Sequence, residues 1–265
     1  MDDQQKSLYA ALALRKIELP DAQIGLIARY CELVWRWNEK INLTRHTDFQ
    51  TFVDRDVTDT LALAELLDDG QRVLDVGSGG GVPGVLLGII RPDLEITLSE
   101  SVGKKARVLE DIVEQLGLPI SVRNERAEDI LGRAQFDTLT IRAVARLKKL
   151  LTWFRPHRSA FGRLLIVKGP AWVEERGEAR HHGLLKALRL RRLLSYKIEG
   201  KDSESVILEI SRENDRSEKK SPVKKPLKKK TATKRPFKKR PFKKGGFKKR
   251  AVKKRAFKKR AFKKP

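Results

Sequence analysis

Leu74-Asp75-Val76-Gly77-Ser78-Gly79-Gly80-Gly81-Val82-Pro83-Gly84 is the stretch on which the reading of this chain turns. It starts inside a short apolar run, Arg72 to Val76, and leads into the apolar stretch Val85 to Ile90. Glycine lets the main chain take positive φ and approach a ligand where a Cβ would collide. In open α/β sheets, ligands sit outside the carboxyl ends of such strands. Five glycines within eight positions weaken a helix start without structural gain, so the loop reads as a ligand loop.

Two cofactors compete for it. Gly79 to Gly84 fits GxGxxG, and Glu100 lies at a suitable distance downstream for a ribose hydroxyl pair, which would indicate NAD. Asp75 stands two residues before Gly77 and makes the pattern Asp-x-Gly-x-Gly-x-Gly. That pattern resembles motif I of the class I S-adenosylmethionine methyltransferases. This cofactor has no pyrophosphate; its methionine end is zwitterionic, and a carboxylate can help hold it. The residues favour S-adenosylmethionine, with Asp75, Gly77 and Gly79 against it and Glu100 on the ribose.

Outward from the loop, short apolar runs alternate with amphipathic stretches. Arg72 to Val76, Glu95 to Glu100, Ile120 to Asn124, Phe136 to Ala143 and Arg163 to Gly169 read as strands. Lys104 to Leu116 reads as one of the helices between them. The alternation implies βαβ units and a parallel sheet. Leu193 to Ile198 and Ser205 to Ile210, split by the polar turn EGKDSE, read as a closing hairpin or antiparallel edge. Before the loop the rhythm is helical. Ile24, Ile27, Ala28, Cys31, Val34 and Trp35 make one apolar face, with Cys31 a buried side chain rather than a reactive thiol. Phe49, Phe52, Val53, Val57, Leu61, Ala64 and Leu67 make a second, with Asp48 as N-cap. The expected architecture is α/β: a Rossmann-like, mostly parallel sheet over 70–211, a helical extension over 1–69, and a basic tail over 212–265.

Charge sharpens that division. The chain has 265 residues, 59 Lys+Arg and 34 Asp+Glu, a net +25. Lys219 to Pro265 holds 25 of the cations and no acid, leaving a neutral body. From Arg235 the tail runs RPFKK RPFKK GGFKK RAVKK RAFKK RAFKK. A period of five suits neither helix nor strand, and the self-repelling charge argues for disorder. Cations for phosphates, with aromatic faces for unpaired bases, suit RNA; a non-specific polyanion tail is the plainer alternative. One cysteine excludes a disulfide scaffold and cysteine-pair zinc sites. The apolar runs are too short to span a membrane, and a cytoplasmic monomer is expected.

Four stretches carry a closer likeness. KINLTRHTD, DVGSGGGVPGVLLGIIRP, LSESVGKKARVLEDI, and FDTLTIRAVARL followed by LLIVKG together resemble the bacterial 16S rRNA guanine-N7 methyltransferases of the RsmG (GidB) family. The likeness covers about Leu8 to Ile210; the repeat tail lies outside it. It implies methyl transfer from S-adenosylmethionine to N7 of the guanine conventionally numbered 527 in 16S rRNA of the small ribosomal subunit. The family's cofactor contacts would fall on Gly77, Val82, Ala127, Glu128 and Arg142. The chain departs from the family at Glu100, where Asp is usual, and at Gly80, where Ala or Pro is common.

N7 of guanine has a free lone pair and no proton at neutral pH. No general base is needed, so no catalytic acid or base is assigned; proximity and alignment suffice. The fourth strand is followed by Ile141-Arg142-Ala143-Val144, not the Asn-Pro-Pro-Tyr type of segment that exocyclic-amine methyltransferases use. Lys104, Lys105, Arg107, Arg126 and Lys168 are candidate RNA contacts at the same sheet edge. The four histidines show no metal-ligand spacing. The competing reading is a non-catalytic RNA-binding or ribosome-associated protein on a methyltransferase fold.

Overall fold

β1 (Arg72–Val76) is buried at four of its five positions. An apolar strand of that kind needs cover on both faces, as parallel sheets have. The computed structural model describes residues 3–197 and 204–213. In it β1 is the third of seven strands, ordered β3-β2-β1-β4-β5-β7-β6. The others are β2 (Glu95–Ser99), β3 (Ser121–Arg123), β4 (Phe136–Arg142), β5 (Phe161–Lys168), β6 (Leu188–Lys197) and β7 (Glu204–Arg212). The first five in that order run parallel. β7 is antiparallel to both β5 and β6. The strand order reverses beside β1, between β2 and β4, and the glycine loop leaves β1 at that switch point.

All seven expected strands are present. β6 starts earlier than expected, at Leu188, because Leu188 and Leu190 pack with the core and pair with β7. The turn over 199–203 and the repeat tail lie outside the described residues. β7 itself runs to Arg212, into the first position expected of the tail.

Helices α1 (Asp3–Leu14), α2 (Asp21–Asn38), α3 (Phe49–Phe52), α4 (Thr58–Ala64), α5 (Gly84–Ile90) and α6 (Gly103–Leu116) contribute to one core with Val73, Ile96, Leu98, Leu165 and Ile207. On the opposite face α7 (Ala127–Leu131), α8 (Leu147–Phe154) and α9 (Trp172–His181) cover Leu74, Val76, Leu139, Ile141, Leu164 and Ile166. The strands divide between the cores with period two, as pleated strands must. The change at residue 70 is therefore a change of element type, while the first core runs on across it.

α6 shows why these segments are helices. Val108, Leu109, Ile112, Val113 and Leu116 are buried at helical spacing, and Gly117, at φ 62°, ends the helix in the left-handed conformation. α2 buries the expected face except for Trp35, which is half-buried, and widens it with Tyr30 and Leu33. Burial pushes the Cys31 thiol well above its ordinary range, which keeps it protonated. Asp48 does cap α3: its carboxylate accepts from the Thr51 amide at 2.7 Å. The expected second helix is interrupted by a π-helical turn, Val53–Val57, before α4. Such turns insert one residue and shift the side chains that follow.

Candidate cofactor and substrate site at the carboxyl edge of the sheet

The glycine loop is built against β2 and α5. The Ser78 amide donates to the Ser99 carbonyl at 3.0 Å, and the Gly81 amide to the Ser78 carbonyl at 2.7 Å. Gly77 and Gly79 stand at φ 65° and 58°, where a side chain would be strained. Gly84 is required for a different reason. A Cβ there would collide with Leu98 Cδ2 and lie 2.7 Å from Asp75 Oδ2, so its absence lets α5 seat against the sheet.

The N-terminal helices roof the loop. Tyr30 donates its hydroxyl to the Gly80 carbonyl at 2.7 Å. A Cβ on Gly80 would meet the Leu43 carbonyl at 3.3 Å. Asn38 holds that segment by accepting from the Leu43 and Thr44 amides at 2.8 and 2.9 Å. The KINLTRHTD stretch thus packs directly on the cofactor loop.

Asp75 is 1% exposed. Thr140 donates to its Oδ1 at 2.9 Å, while Oδ2 has no hydrogen-bond partner among the described residues. Burial pushes its pKa up to about 6. Glu100 is also buried and turns back on the loop. Its Oε2 accepts from the Gly79 amide at 2.9 Å, and its Oε1 from the Val102 amide at 2.8 Å. Each carboxylate oxygen keeps a second lone pair, so Glu100 can brace the loop and still receive ribose hydroxyls. Val82 is half-buried in the loop, and Ala127 (buried) and Glu128 (half-buried) open α7 directly after β3.

Arg142 ends β4, next to the loop. The register pairs Asp75 with Thr140 and Val76 with Ile141, so Arg142 lies alongside the chain leaving β1. Alternation puts it on the face of Asp75, toward the N-terminal helices. There Nε donates to Asp59 Oδ2 at 2.8 Å, and Nη2 donates to Asp56. Tyr196 donates to the other Asp59 oxygen at 2.6 Å. Nη1 of Arg142 has no hydrogen-bond partner among the described residues. Burial raises the Asp59 pKa, against the opposing pull of Arg142 and Tyr196. Burial, then the Asp59 charge, raises the Tyr196 phenol.

Two irregularities aim this cluster. The π-helical turn carries Asp56 and delivers Asp59 one turn later. In β6, Arg191 pairs with Glu209 but Leu194 pairs with Ile207, a bulge of one residue. The extra residue turns Leu194 and Tyr196 to the face of Arg191 and so toward Asp59.

Lys168 is elsewhere. It ends β5 on the opposite face, where Nζ donates to the Ala145 carbonyl and to Glu175 Oε2, both at 2.7 Å. Glu175 also accepts from the Leu147 amide at 2.8 Å. Lys104, Lys105 and Arg107 open α6, and Arg126 precedes α7, at the carboxyl ends of β2 and β3. Lys104, Arg107 and Arg126 are exposed, and none of the four has an ion-pair partner among the described residues.

The structure therefore gathers Asp75, Gly77, Gly79, Val82, Glu100 and Arg142 around one loop, and Ala127 and Glu128 at its neighbouring strand end. It sets Lys168 apart. Sequence reading missed Tyr30, Asp56, Asp59, Thr140 and Tyr196. Only Thr140 left a signal: it repeats the strand alternation of Arg142 and falls opposite Asp75.

The donor set fits S-adenosylmethionine. The loop admits close approach, Asp75 Oδ2 is unsatisfied, and Glu100 has lone pairs to spare. Asp56, Asp59, Asp75 and Glu100 are four buried carboxylates against one half-buried guanidinium. Such an excess welcomes a cationic cofactor and repels the pyrophosphate of a dinucleotide.

The family model described as rRNA small subunit methyltransferase G (GidB) matches residues 23–202. The ribosomal RNA small subunit methyltransferase G of Rhodopirellula baltica is 51% identical over 177 residues, covering 66% of this chain and 77% of that protein. Its namesake from Streptococcus sanguinis is 36% identical over 205 residues, covering 74% and 86%. Among solved structures, a mutant of MtNAS shares the fold at TM-score 0.50 and 14% identity, covering 79% of this chain and 85% of that one. The matched span runs from within α2 through the loop to beyond β6. Asp75, Glu100, Arg142 and the acids that hold Arg142 all lie inside what is shared, and the chain belongs to the GidB family of rRNA small subunit methyltransferases.

Proposed function

We propose that this methyltransferase modifies N7 of a guanine in 16S rRNA, with S-adenosylmethionine as methyl donor. The observation that carries the reading is the carboxyl-edge cradle itself: a positive-φ glycine loop flanked by Asp75, Glu100 and Arg142 in a chain of this family. When bound, S-adenosylmethionine supplies an electrophilic methyl carbon on sulfur.

The chain's own residues then have a limited task. Gly77 and Gly79 let the backbone lie close to the cofactor. Asp75, Val82, Glu100, Ala127 and Glu128 surround it, and the free Nη1 of Arg142 is the donor left for a ligand. A guanine held with its N7 lone pair toward that carbon would need no base from the chain, since N7 carries no proton to remove; the residues named here would bind and align. Alignment of three atoms can supply much of the rate enhancement, because effective molarities for well-oriented groups are large. Exposed Lys104 and Arg107, with Lys105 and Arg126, offer cations for the RNA backbone beside the cofactor. In this reading Lys168 braces the turn between β4 and α8 through Ala145 and Glu175.

The body works as a cytoplasmic monomer and the tail over 219–265 adds RNA affinity without choosing the base. Deleting the tail weakens binding and lowers the salt slope by about 0.7 per lost single-strand phosphate contact. A truncated protein that methylates a different base would refute that division.

Tritiated S-adenosylmethionine is the direct test, with 16S rRNA and small subunits lacking the modification as substrates. Cleavage specific for N7-methylguanine is expected at one site in the 530 loop. Methyl transfer to another atom or another base overturns the reading.

A further inference from the structure

The buried charge around the cofactor loop does not balance. Asp56, Asp59, Asp75 and Glu100 are each no more than 6% exposed. The cation among them, half-buried Arg142, is already held by Asp56 and Asp59. Lys104, Lys105, Arg107 and Arg126 stand at the same edge, but exposed or half-exposed, where water and salt screen them. The body up to Glu218 is neutral overall, so the negative excess is local. Asp75 Oδ2, enclosed beside Gly84 at the same edge, adds a carboxylate oxygen with no hydrogen-bond partner among the described residues.

The excess sits beside the glycine loop. Arg142 lies one strand spacing, about 4.8 Å, from the chain leaving β1. Val144, two residues on, would touch a Cβ on Gly77 at 3.0 Å. Charges buried this way act through an effective dielectric near 20 rather than 80, and a neighbouring cation feels them over several ångströms.

We propose that Asp56 and Asp59 set the charge preference of the cofactor site, favouring the sulfonium of S-adenosylmethionine over the neutral thioether of S-adenosylhomocysteine. They over-neutralise Arg142, so that the cluster presents a net negative charge while keeping a guanidinium donor in place. During transfer the methyl carbon leaves sulfur with the positive charge, and the guanine becomes the cation. The spent cofactor then loses an attraction the incoming one had, which favours its release. This inference rests on the reading of the loop as an S-adenosylmethionine site.

Isothermal titration of the full chain with each ligand, outside turnover, tests it. The wild type is expected to bind S-adenosylmethionine more tightly than S-adenosylhomocysteine. Asp56→Asn and Asp59→Asn keep an acceptor for Arg142 and remove a charge. Each should cut that preference about tenfold by weakening S-adenosylmethionine alone. Tyr196→Phe removes a hydrogen bond to Asp59 but no charge, and should leave the ratio unchanged. Equal weakening of both ligands in the Asn variants would reduce the pair to a structural brace and overturn the proposal. So would a wild type that binds S-adenosylhomocysteine equally or better, a comparison that holds even if the variants do not fold. Binding of neither ligand to the wild type would instead remove the cofactor reading beneath it.

Discussion

Two neighbouring strands each end in a buried ion cluster, and the clusters differ in kind. At the end of β5, Lys168 meets Glu175, the Ala145 carbonyl fills a second donor, and the Leu147 amide shares the carboxylate. One cation meets one anion, and the group closes on itself. At the end of β4, Arg142 meets two carboxylates, Asp59 is shared with Tyr196, and Nη1 of Arg142 and Oδ2 of Asp75 are left over. A closed cluster holds a turn in place. An open one, on the face of the glycine loop, has capacity reserved for something that arrives. The difference separates Lys168 from Arg142 although both are basic residues at strand ends on the same edge.

The comparison breaks or sharpens by mutation. Arg142→Ala leaves two buried carboxylates without a counter-charge, and Lys168→Ala leaves one. Each should cost about 3–5 kcal/mol in urea unfolding, yet only Arg142→Ala should also abolish S-adenosylmethionine binding by the folded fraction. Loss of cofactor binding in Lys168→Ala would erase the distinction.

Asp75 gives the next largest effect, through pH. Its folded-state pKa of about 6 lies above the ordinary 3.8. The folded chain therefore binds the proton more tightly than the unfolded one. Its contribution is present below about pH 4 and is lost as pH rises to 6, a swing of about 2–3 kcal/mol. Asp75→Asn should flatten that part of the stability profile, measured as urea midpoints from pH 4 to 7. An unchanged profile would show that Oδ2 is not the isolated oxygen described above.

Gly84→Ala puts a methyl group against Leu98 and Asp75 Oδ2. A loss of about 1–3 kcal/mol is expected, with weaker cofactor binding because α5 is pushed off the loop. The smallest effect belongs to Tyr196→Phe, about 1 kcal/mol for one hydrogen bond. Its thermal midpoint should move slightly and its cofactor affinity little, since Arg142 keeps both carboxylates.

Much of this was legible in the residues. The strand runs, the loop and the Asp48 cap are local patterns, each decided within about a dozen residues. Asp75 and Glu100 stand at strand ends, so the switch-point rule gathers them, while Arg142 entered through the family resemblance. What was not legible depends on distant pairing. Asp59 lies 83 residues from Arg142 and 137 from Tyr196. Its burial follows from a π-helical turn and its second partner from a one-residue bulge, neither of which has a periodic signature in the sequence. Lys168 was grouped with the RNA candidates at the sheet edge because strand-end position says nothing about which face a side chain takes, and the consecutive buried positions of β5 give no alternation to count.

The bond between Tyr196 and Asp59 also has a meaning in time. Synthesis proceeds from the amino terminus, so Asp56 and Asp59 leave the ribosome long before Arg142, and Tyr196 follows later still. A nascent chain that stops short of β6 and β7 has its glycine loop but lacks the last brace of the guanidinium beside it. The bond that closes the second oxygen of Asp59 is thereby among the last contacts of the body to form, more than a hundred residues of synthesis after the acid it holds.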